Sequence, residues 1–349
     1  MSAPSETDLD LTSLSTYLAA RLDLAGPITA SLVAGGRSNP TYALTDGESE
    51  WILRRPPYGE YVAGGHDVLR EARVMSALAG TDVPVPAVVA QCDDARVLGA
   101  PFYLMDRLDG RTFRSAEETG RLTESERAAV AEAMLDTLVA LHSIDPASVG
   151  MQEWGRPDGY LERQIRRWAR QWELVATSER PEVAELTDRL TRSMPFTRHP
   201  GIVHGDYKID NLMVDRDRPD HVLGVLDWEM AALGDTLADL GLLVSFWGEP
   251  GAWFNPITNG ATALPGFPGV RDVIEGYARR RDLSIDDLDW YVVFADFKIA
   301  VILEQIHSRH LRGTTVGEGL DDIGDMVGPL LARALERASA SADPLLRAR

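Results

Sequence analysis

Cysteine is almost absent from this chain, which contains only Cys92 among its 349 residues. A single cysteine cannot form an internal disulfide, so the fold has to be stabilised by its apolar core. The seven histidines are spread along the sequence, and no Cys/His cluster with zinc-ligand spacing accompanies them. The sequence therefore argues against a disulfide scaffold and against a structural zinc site.

Basic charge is also scarce, since 35 Lys and Arg residues face 54 Asp and Glu residues, and the net charge is −19. Nucleic acids and anionic membrane surfaces bind basic proteins. We therefore expect neither nucleic acid nor a membrane as a partner. The acidity would suit a cationic small molecule, but a well-solvated acidic surface is the simpler explanation.

A long uninterrupted apolar run is missing as well. Residues 1–10 are polar and acidic, unlike a secretory signal, which begins with basic residues and continues with apolar ones. The most apolar late segment, 291–306, carries Asp296, Lys298 and Glu304, which a lipid-exposed span would not readily tolerate. We expect a buried helix in this segment and a cytoplasmic protein.

What is present is a change of pattern along the chain, from strand-like to helical. Short strand-like stretches and one amphipathic helix at 66–79 dominate the first part; the strands are predicted at 28–33, 41–44, 51–54, 88–90 and 101–105. Longer helical patterns follow at 124–143, 160–177 and 182–194, around a β-rich insert at 201–229. This order predicts an α+β fold with an N-terminal lobe (1–105), a hinge (106–110) and a helical C-terminal lobe (111–349).

The segment GIVHGDYKIDNLMV, which starts at Gly201, carries the polar residues that matter most, between apolar runs typical of strands. Phosphoryl transfer to an alcohol needs a carboxylate that accepts the hydroxyl proton, and Mg²⁺ that neutralises the phosphates. Asp206 suits the first role. Asn211 and Asp227 offer the hard oxygen ligands that Mg²⁺ selects. Lys208 is a compact cation that suits the γ-phosphate.

The pattern His-x-Asp-x-x-x-x-Asn, followed by a separate Asp, resembles the signature of the aminoglycoside phosphotransferase family, relatives of the protein kinases. His204, Asp206, Asn211 and Asp227 fill this pattern without gaps. The resemblance implies a bilobal protein-kinase-like fold, ATP and Mg²⁺ as cofactors, Asp206 as catalytic base and Asn211 and Asp227 as metal ligands. Trp-Glu follows Asp227 where protein kinases carry Phe-Gly, which favours the small-molecule branch of this superfamily.

A loop over the phosphates is predicted in Gly-Gly-Arg-Ser-Asn at 35–39, between two strand-like stretches. Its candidate nucleotide-binding residues are Gly36, Ser38 and Asn39. The loop does not follow the Gly-x-Gly-x-x-Gly pattern of protein kinases, and a plain hairpin explains it equally well.

The strand that carries the phosphate-binding lysine in this superfamily reads Trp-Ile-Leu-Arg-Arg in this chain and has no lysine. We predict that Arg54 contacts the phosphates, because its position in the strand matches that of the family's lysine. Arg55 is the alternative, since a slip of one residue turns a side chain to the other face of a strand. Glu71 is the predicted partner of this cation.

Residues 104–108, Leu-Met-Asp-Arg-Leu, resemble the hinge of the family. Met105 is predicted to line the adenine pocket, with ordinary core packing as the alternative. The backbone around Arg107 is predicted to meet the adenine edge. Backbone contacts do not depend on side-chain identity, so the choice between ATP and GTP stays open.

Three further segments, GGRSNPTY, LRRPP and LDWE with a later GDTLADLG, resemble the kinase-like domain that precedes acyl-CoA dehydrogenase domains in some larger proteins. This resemblance implies a free-standing member whose acceptor is a hydroxylated acyl-type metabolite, such as a hydroxyacyl thioester. A cationic aminoglycoside is the competing acceptor. Asp239 is predicted to brace the catalytic loop. Candidate acceptor contacts are Trp247, Trp253, Phe254, Asp296 and Glu304, although core aromatics and solvated charges are the favoured explanation of these residues.

Two other classes of function stay open. A metal-dependent phosphohydrolase could be built on His204, Asp206 and Asp227, and a pseudokinase scaffold would explain the missing lysine. The intact set Asp206, Asn211 and Asp227 favours an active kinase that phosphorylates a small-molecule hydroxyl. No heptad or large apolar patch in the sequence indicates an oligomeric state.

Overall fold

The computed structural model describes residues 9–33, 39–56, 67–249, 257–313 and 322–348. The chain divides into two compact units, which we call the N-terminal unit (Met1–Gly110 with Leu223–Glu229) and the helical unit (Arg111–Val222 with Met230–Arg349). Among these described ranges, no helix has the length and apolar content needed to cross a membrane.

The N-terminal unit is rich in strands. Its elements are α1 (Leu11–Ala19), β1 (Thr29–Leu32), β2 (Thr41–Thr45), β3 (Glu50–Arg54), α2 (Val68–Leu78), β4 (Val88–Cys92), α3 (Ala95–Leu98) and β5 (Phe102–Asp106). Two further strands, β6 (Gly110–Arg111) and β9 (Val222–Val225), each cross the boundary between the units.

Five strands form one antiparallel sheet in the order β1-β2-β3-β5-β4. Buried and more exposed side chains alternate along β2 and β3, as expected for strands with one face on a core. The interior strand β5, between β3 and β4, is buried along four of its five residues. Arg54 pairs across the sheet with Thr41 on one side and Tyr103 on the other, which fixes its face.

The first helix closes the core of this unit. Asp10 caps α1 by accepting hydrogen bonds from the backbone N–H groups of Thr12 and Ser13, at 3.1 and 3.0 Å. Leu14 and Leu18 of α1 are fully buried and join the core cluster that includes buried residues of β2, β3 and β5. Helix α1 therefore packs against the sheet of this unit.

The helical unit contains most of the helices. Its elements, in chain order, are α4 (Ala116–Thr119), α5 (Glu124–Ser143), α6 (Tyr160–Val175), α7 (Pro181–Arg192), β7 (Pro200–Val203), β8 (Leu212–Asp215), β10 (Ala232–Asp235), α8 (Leu237–Phe246), α9 (Val270–Arg281), α10 (Leu288–Leu311), α11 (Ile323–Ala340) and α12 (Pro344–Arg347). The three long helices predicted before the β-rich insert correspond to α5, α6 and α7.

Helix α10 lies at the centre of this unit and packs against α6, α7, α8 and α11. It contains the predicted buried helix 291–306, whose three charged side chains are at most 7% exposed. A buried charge is costly unless it is paired or hydrogen-bonded, so these three side chains are expected to have partners inside the unit.

Candidate active site

The catalytic loop, defined as residues 204–211, follows directly from β7, which pairs antiparallel with β10. Gly205 has a φ of 83°, a left-handed conformation that favours glycine. A Cβ at this position would lie 2.6 Å from the carbonyl oxygen of Met230. Only glycine fits here, so the turn that presents Asp206 depends on it.

Asp239, near the start of α8, braces the loop as predicted. Its carboxylate accepts hydrogen bonds from the backbone N–H groups of His204, at 2.6 Å, and Gly205, at 2.8 Å. His142 Nε2 lies 3.2 Å from the same carboxylate, and its Nδ1 lies 2.6 Å from the hydroxyl of Tyr277. Burial alone would raise the pKa of Asp239, but the hydrogen bonds and the nearby imidazoles outweigh it and lower that pKa.

The structure brings three predicted residues together in this loop: Asp206, Lys208 and Asn211. The ammonium of Lys208 forms an ion pair with Asp206. The side-chain amide of Asn211 donates to Asp206 Oδ2, at 2.9 Å, and to the Asp206 carbonyl oxygen, at 2.8 Å. The N–H of Asp206 donates to His204 Nδ1 at 3.1 Å, so the fully buried His204 holds the loop. Asp206 keeps 20% of its side chain exposed, enough to meet a substrate.

Asp210 is a member of this loop whose position the sequence did not reveal. Burial raises the pKa of Asp210 to about 6; the nearby Lys208 lowers it, and Asp206 raises it further. Its Oδ1 is buried and accepts no hydrogen bond within the described residues. The Lys-Ile-Asp-Asn spacing could not show this, because a residue beside a turn is more often solvated.

In the N-terminal unit, β3 and α2 bring Arg54 and Glu71 together in an ion pair. Glu71 is 1% exposed, and Arg54 Nη1 also lies 3.6 Å from Asp227 Oδ1. Burial opposes the charge of Arg54, but the carboxylate of Glu71 outweighs it and raises the Arg54 pKa above its ordinary value. Arg54 is therefore a fixed cation.

Arg55 takes a different place. It is 1% exposed, and its guanidinium donates from Nε to the carbonyl oxygen of Pro56 (3.1 Å) and from Nη1 to that of Leu98 (2.8 Å). These contacts tie the end of β3 to the short helix α3. Of the two candidate arginines, Arg54 is the one that the fold brings to Glu71 and Asp227.

Asp227 has a φ of 65°, a left-handed conformation that is unusual for a residue with a side chain. The next residue, Trp228, is 1% exposed, and its indole N–H donates to the carbonyl oxygen of Val225 at 2.9 Å. This anchor holds the strained turn. Within the described residues, Asp227 Oδ1 and Arg54 Nε are buried and form no hydrogen bond. Unmatched buried polar atoms of this kind are expected where a polar ligand binds.

The predicted phosphate loop lies mostly outside the described residues, Gly36 and Ser38 included. Asn39 is described; it is 3% exposed, and its Oδ1 is buried without a hydrogen-bond partner in the described chain. In the predicted hinge, Met105 is 9% exposed on β5. The Arg107 side chain is about half exposed and lies 3.2 Å from the carboxylate of Glu50.

Asn211 and Asp227 each carry a side-chain oxygen of the kind that Mg²⁺ prefers, and Asp227 Oδ1 accepts no hydrogen bond within the described residues. Mg²⁺ is ordinarily held by one or two protein ligands together with substrate phosphates and water. The described residues contain no group of three or more His, Cys, Asp or Glu side chains arranged around a metal position.

Of the five predicted acceptor contacts, Trp253 and Phe254 fall outside the described residues. Trp247 is buried at 7% exposure, and its indole N–H donates to the carbonyl oxygen of Pro268 at 3.0 Å. Asp296 and Glu304 are also buried, and each has partners inside the helical unit.

Comparisons with known proteins identify the family and the fold of this chain. The profile of the phosphotransferase enzyme family (APH) matches residues 29–274. A Ralstonia eutropha crystal structure, described as a candidate aminoglycoside phosphotransferase, is 32% identical with a TM-score of 0.81, covering 96% of this chain and all of that one. The aminoglycoside phosphotransferase APH(4)-Ia, bound to ADP and hygromycin B, shares the fold at 14% identity, with a TM-score of 0.61 over 93% of this chain and 98% of that one.

The curated relatives are longer proteins. Acyl-CoA dehydrogenase family member 11 of Gallus gallus is 34% identical over 89% of this chain and 40% of its own length. The Homo sapiens protein of the same name is 30% identical over 94% of this chain and 43% of its own length. This chain thus spans about two fifths of these relatives. The predicted α+β kinase-like fold and the predicted family resemblance are confirmed, and the chain belongs to the APH phosphotransferase enzyme family.

Proposed function

We propose that this protein is a kinase that transfers the γ-phosphoryl group of Mg-ATP to a hydroxyl group of a small molecule, with Asp206 as the catalytic base. The observation that carries the proposal is the arrangement around Asp206. Its carboxylate is partly exposed, is paired with Lys208 and Asn211, and sits on a loop that Asp239 braces. Such preorganised carboxylates orient an acceptor hydroxyl and take up its proton.

Each of these residues has a separate role in the proposed reaction. Asp206 accepts a hydrogen bond from the acceptor hydroxyl and takes its proton as the oxygen attacks phosphorus. Lys208, beside Asp206, contributes positive charge where the transferred group is most negative. Arg54, held by Glu71, binds nucleotide phosphates, and Asn211 and Asp227 hold the metal. Bound Mg-ATP supplies the phosphoryl group and the metal charge that neutralises it.

The acidic residues of the helical unit bear on which class of acceptor the protein binds. Cationic amines of an aminoglycoside need free carboxylates. Asp296 is instead engaged by Arg333, Arg337 and Ser245, and Glu304 accepts a hydrogen bond from the hydroxyl of Thr177. Neither residue is left for a cationic ligand, despite the chain's net charge of −19.

A hydroxylated acyl-type metabolite, such as a hydroxyacyl thioester, is therefore the acceptor we favour. The names of the longer relatives, acyl-CoA dehydrogenase family members, support this choice by analogy only.

The test is Mg-ATP consumption by the wild type and by Asp206→Asn against a panel of hydroxyacyl-CoAs, aminoglycosides, macrolides and sugars. We expect one acceptor class to stimulate the wild type. The variant is expected to lose about 10²- to 10⁴-fold in turnover, the range attributed to general-base catalysis, with ATP affinity nearly unchanged.

Stimulation by aminoglycosides alone would overturn the acceptor class, and near wild-type turnover in Asp206→Asn would overturn the base assignment. Tight ATP binding with no turnover for any acceptor would favour the pseudokinase scaffold.

A further inference from the structure

Lysine is used in only two positions of this chain, although Lys and Arg together number 35. The two lysines are Lys208, within the catalytic loop, and Lys298, on helix α10. Every other strongly basic side chain is an arginine. Lysine differs from arginine in its compact ammonium, which can approach a single oxygen where a planar fork cannot.

Both lysines contact the catalytic loop. Lys208 pairs with the carboxylate of Asp206, whereas the ammonium of Lys298 donates a hydrogen bond to the carbonyl oxygen of Gly205. That carbonyl belongs to the peptide unit whose N–H is on Asp206, and this N–H donates to His204 Nδ1. The peptide that leads into Asp206 is therefore held at its oxygen by Lys298 and at its nitrogen by His204.

The other side of Gly205 is fixed as well, because its own N–H donates to Asp239. With a φ of 83°, Gly205 has wide conformational freedom that these contacts remove. A rotation of the following peptide would redirect the Asp206 side chain. Lys298 is the contact that opposes this rotation from the carbonyl side.

Lys298 is buried without a direct ion pair among the described residues. Lys298 is 7% exposed, its ammonium lies 5.6 Å from the ring centroid of Trp168, and no carboxylate in the described chain forms an ion pair with it. The small cavity beside it is lined by apolar and aromatic side chains, among them Tyr160 and Phe294, and also by Asp239. A buried ammonium with this little compensation is costly to the fold, which argues that its charge serves the site.

We propose that Lys298 is a positioning residue for phosphoryl transfer, whose positive charge holds the Gly205–Asp206 peptide so that the Asp206 carboxylate is set for proton acceptance. This inference rests on the proposed role of Asp206 as the base. It adds a residue 92 positions beyond that base, on a helix that the signature motif does not include.

The charge of Lys298 also makes the arrangement sensitive to pH. Burial lowers the pKa of Lys298 to about 8; the carboxylates of Asp206 and Asp239 raise it, and the cations Arg167 and Lys208 lower it further. Lys298 is fully protonated well below pH 8 and loses its positive charge as the pH rises through that value. The turnover rate should therefore decrease as the pH rises through about 8, whereas the affinity for nucleotide should not.

The first test compares the wild type with Lys298→Met, using Mg-ATP and the acceptor found in the panel, or water as acceptor. We expect kcat at pH 7 to fall by about 100-fold, the loss typical of a misplaced catalytic group, with ATP affinity unchanged. The alkaline decline near pH 8 should be present in the wild type and absent from the variant. A kcat for Lys298→Met within twofold of wild type, or the same alkaline decline in both proteins, would overturn the proposal.

Arg333→Met is the matched control, because it also removes a cation that contacts α10 but has its hydrogen bonds to Asp296 and Ser245. It should lower stability and leave the pH profile of kcat unchanged. If it reproduces the pH profile of Lys298→Met, the effect is general loosening of the helices and the proposal fails.

The second test does not depend on turnover. Lysine labelled with ¹³C at Cε should give two NMR signals, and the one missing from Lys298→Met identifies Lys298. We expect it to titrate near pH 8 in the wild type and at lower pH in Asp206→Asn, where a nearby carboxylate is lost. An identical titration in both proteins would overturn the coupling of Lys298 to the base. If the shift occurs but the wild type transfers phosphate to no acceptor, the kinase assignment fails and the Lys298 contact stands.

Discussion

The catalytic loop and the group formed by Arg54, Glu71 and Asp227, here called the Arg54 cluster, both place carboxylates beside cations. They differ in how completely their polar groups are hydrogen-bonded. In the loop, the backbone N–H groups of His204, Gly205 and Asp206 all have acceptors, and the Asp206 carboxylate has two donors. In the cluster, Arg54 Nε and Asp227 Oδ1 are buried without hydrogen bonds, and Asp227 has a strained backbone.

This contrast separates two ways of building a site. The groups around Asp206 are matched within the loop itself, as expected for a carboxylate preorganised for proton transfer, whereas Asp210 Oδ1 in the same loop accepts no hydrogen bond within the described residues. The cluster has unmatched atoms that a nucleotide and a metal would complete. Substitutions in the loop should therefore affect turnover more than binding, and substitutions in the cluster should affect binding more than turnover.

The largest effect is expected from Asp239→Asn. The side-chain amide of Asn has one acceptor oxygen and cannot accept hydrogen bonds from every group that contacts the carboxylate. We expect a loss of about 3 kcal/mol in the free energy of unfolding, as when one partner of a buried charged network is removed. Turnover should fall by about 100-fold through misplacement of Asp206, with ATP affinity little changed. Chemical denaturation and steady-state kinetics measure the two effects.

The pH dependence of stability gives a second readout for the same variant. The pKa of Asp239 is lower in the folded protein than in the unfolded chain, where it is about 3.9. Its contribution is therefore present above that value and is lost as the pH falls through the folded pKa. Asp239→Asn should lack this part of the acid-dependent loss.

Asp235→Asn serves as the control for Asp239→Asn, because Asp235 Oδ1 accepts from the N–H of Leu237 at the start of the same helix. The Asn amide oxygen can still accept this hydrogen bond, since Asn and Asp are about equally good helix caps, so this variant should lose less stability than Asp239→Asn and spare turnover. Equal kinetic defects in the two variants would contradict a specific brace.

The Arg54 cluster is tested by comparing Arg54→Ala with Arg55→Ala. Charge-assisted hydrogen bonds contribute about 1.5–3 kcal/mol, so Arg54→Ala should weaken binding of a nonhydrolysable ATP analogue by about tenfold or more. Arg55→Ala should lower stability by about 2 kcal/mol, because it removes buried hydrogen bonds, and should preserve ATP affinity. Isothermal titration calorimetry and thermal unfolding distinguish these outcomes.

Arg54→Lys is the conservative control, since it restores a cation beside Glu71 and should retain most of the ATP affinity. If Arg55→Ala weakens nucleotide binding more than Arg54→Ala does, the phosphate contact has been assigned to the wrong arginine.

The smallest expected effect concerns the backbone of Asp227. Asp227→Ala and Asp227→Gly should both weaken Mg-ATP binding, because both remove the proposed metal ligand. The glycine variant should be about 1 kcal/mol more stable than the alanine variant, since a left-handed conformation costs a residue with a Cβ about that much. Equal stabilities, measured by urea denaturation, would show that the strain at this position is negligible.

The sequence predicted most strands and long helices, because their periods of two and 3.6 residues are local signals. It also predicted the loop residues Asp206, Lys208 and Asn211, which lie within six positions of one another. The pairing of Arg54 with Glu71, rather than Arg55, depends on sheet register, which the sequence left open between two alternatives.

Other parts of the site were beyond prediction from sequence. Lys298 looked like one charge in an apolar helix, because its local sequence does not indicate a contact with Gly205, 93 positions earlier. Asp296 and Glu304 were candidate acceptor contacts, with a solvated charge as the favoured alternative. The sequence could not show their burial, because their internal partners come from distant segments such as α11. The roles of the nucleotide-binding residues Gly36, Ser38, Asn39, Met105 and Arg107 stay predictions.

The scarcity of lysine has a practical consequence for chemical footprinting. Both lysine side chains are shielded, with Lys208 8% and Lys298 7% exposed. An amine-selective acylating reagent therefore meets no lysine on the protein's surface that would consume it. Acylation of either side chain would report how often the catalytic loop opens, and saturation with nucleotide would reveal whether binding suppresses that opening.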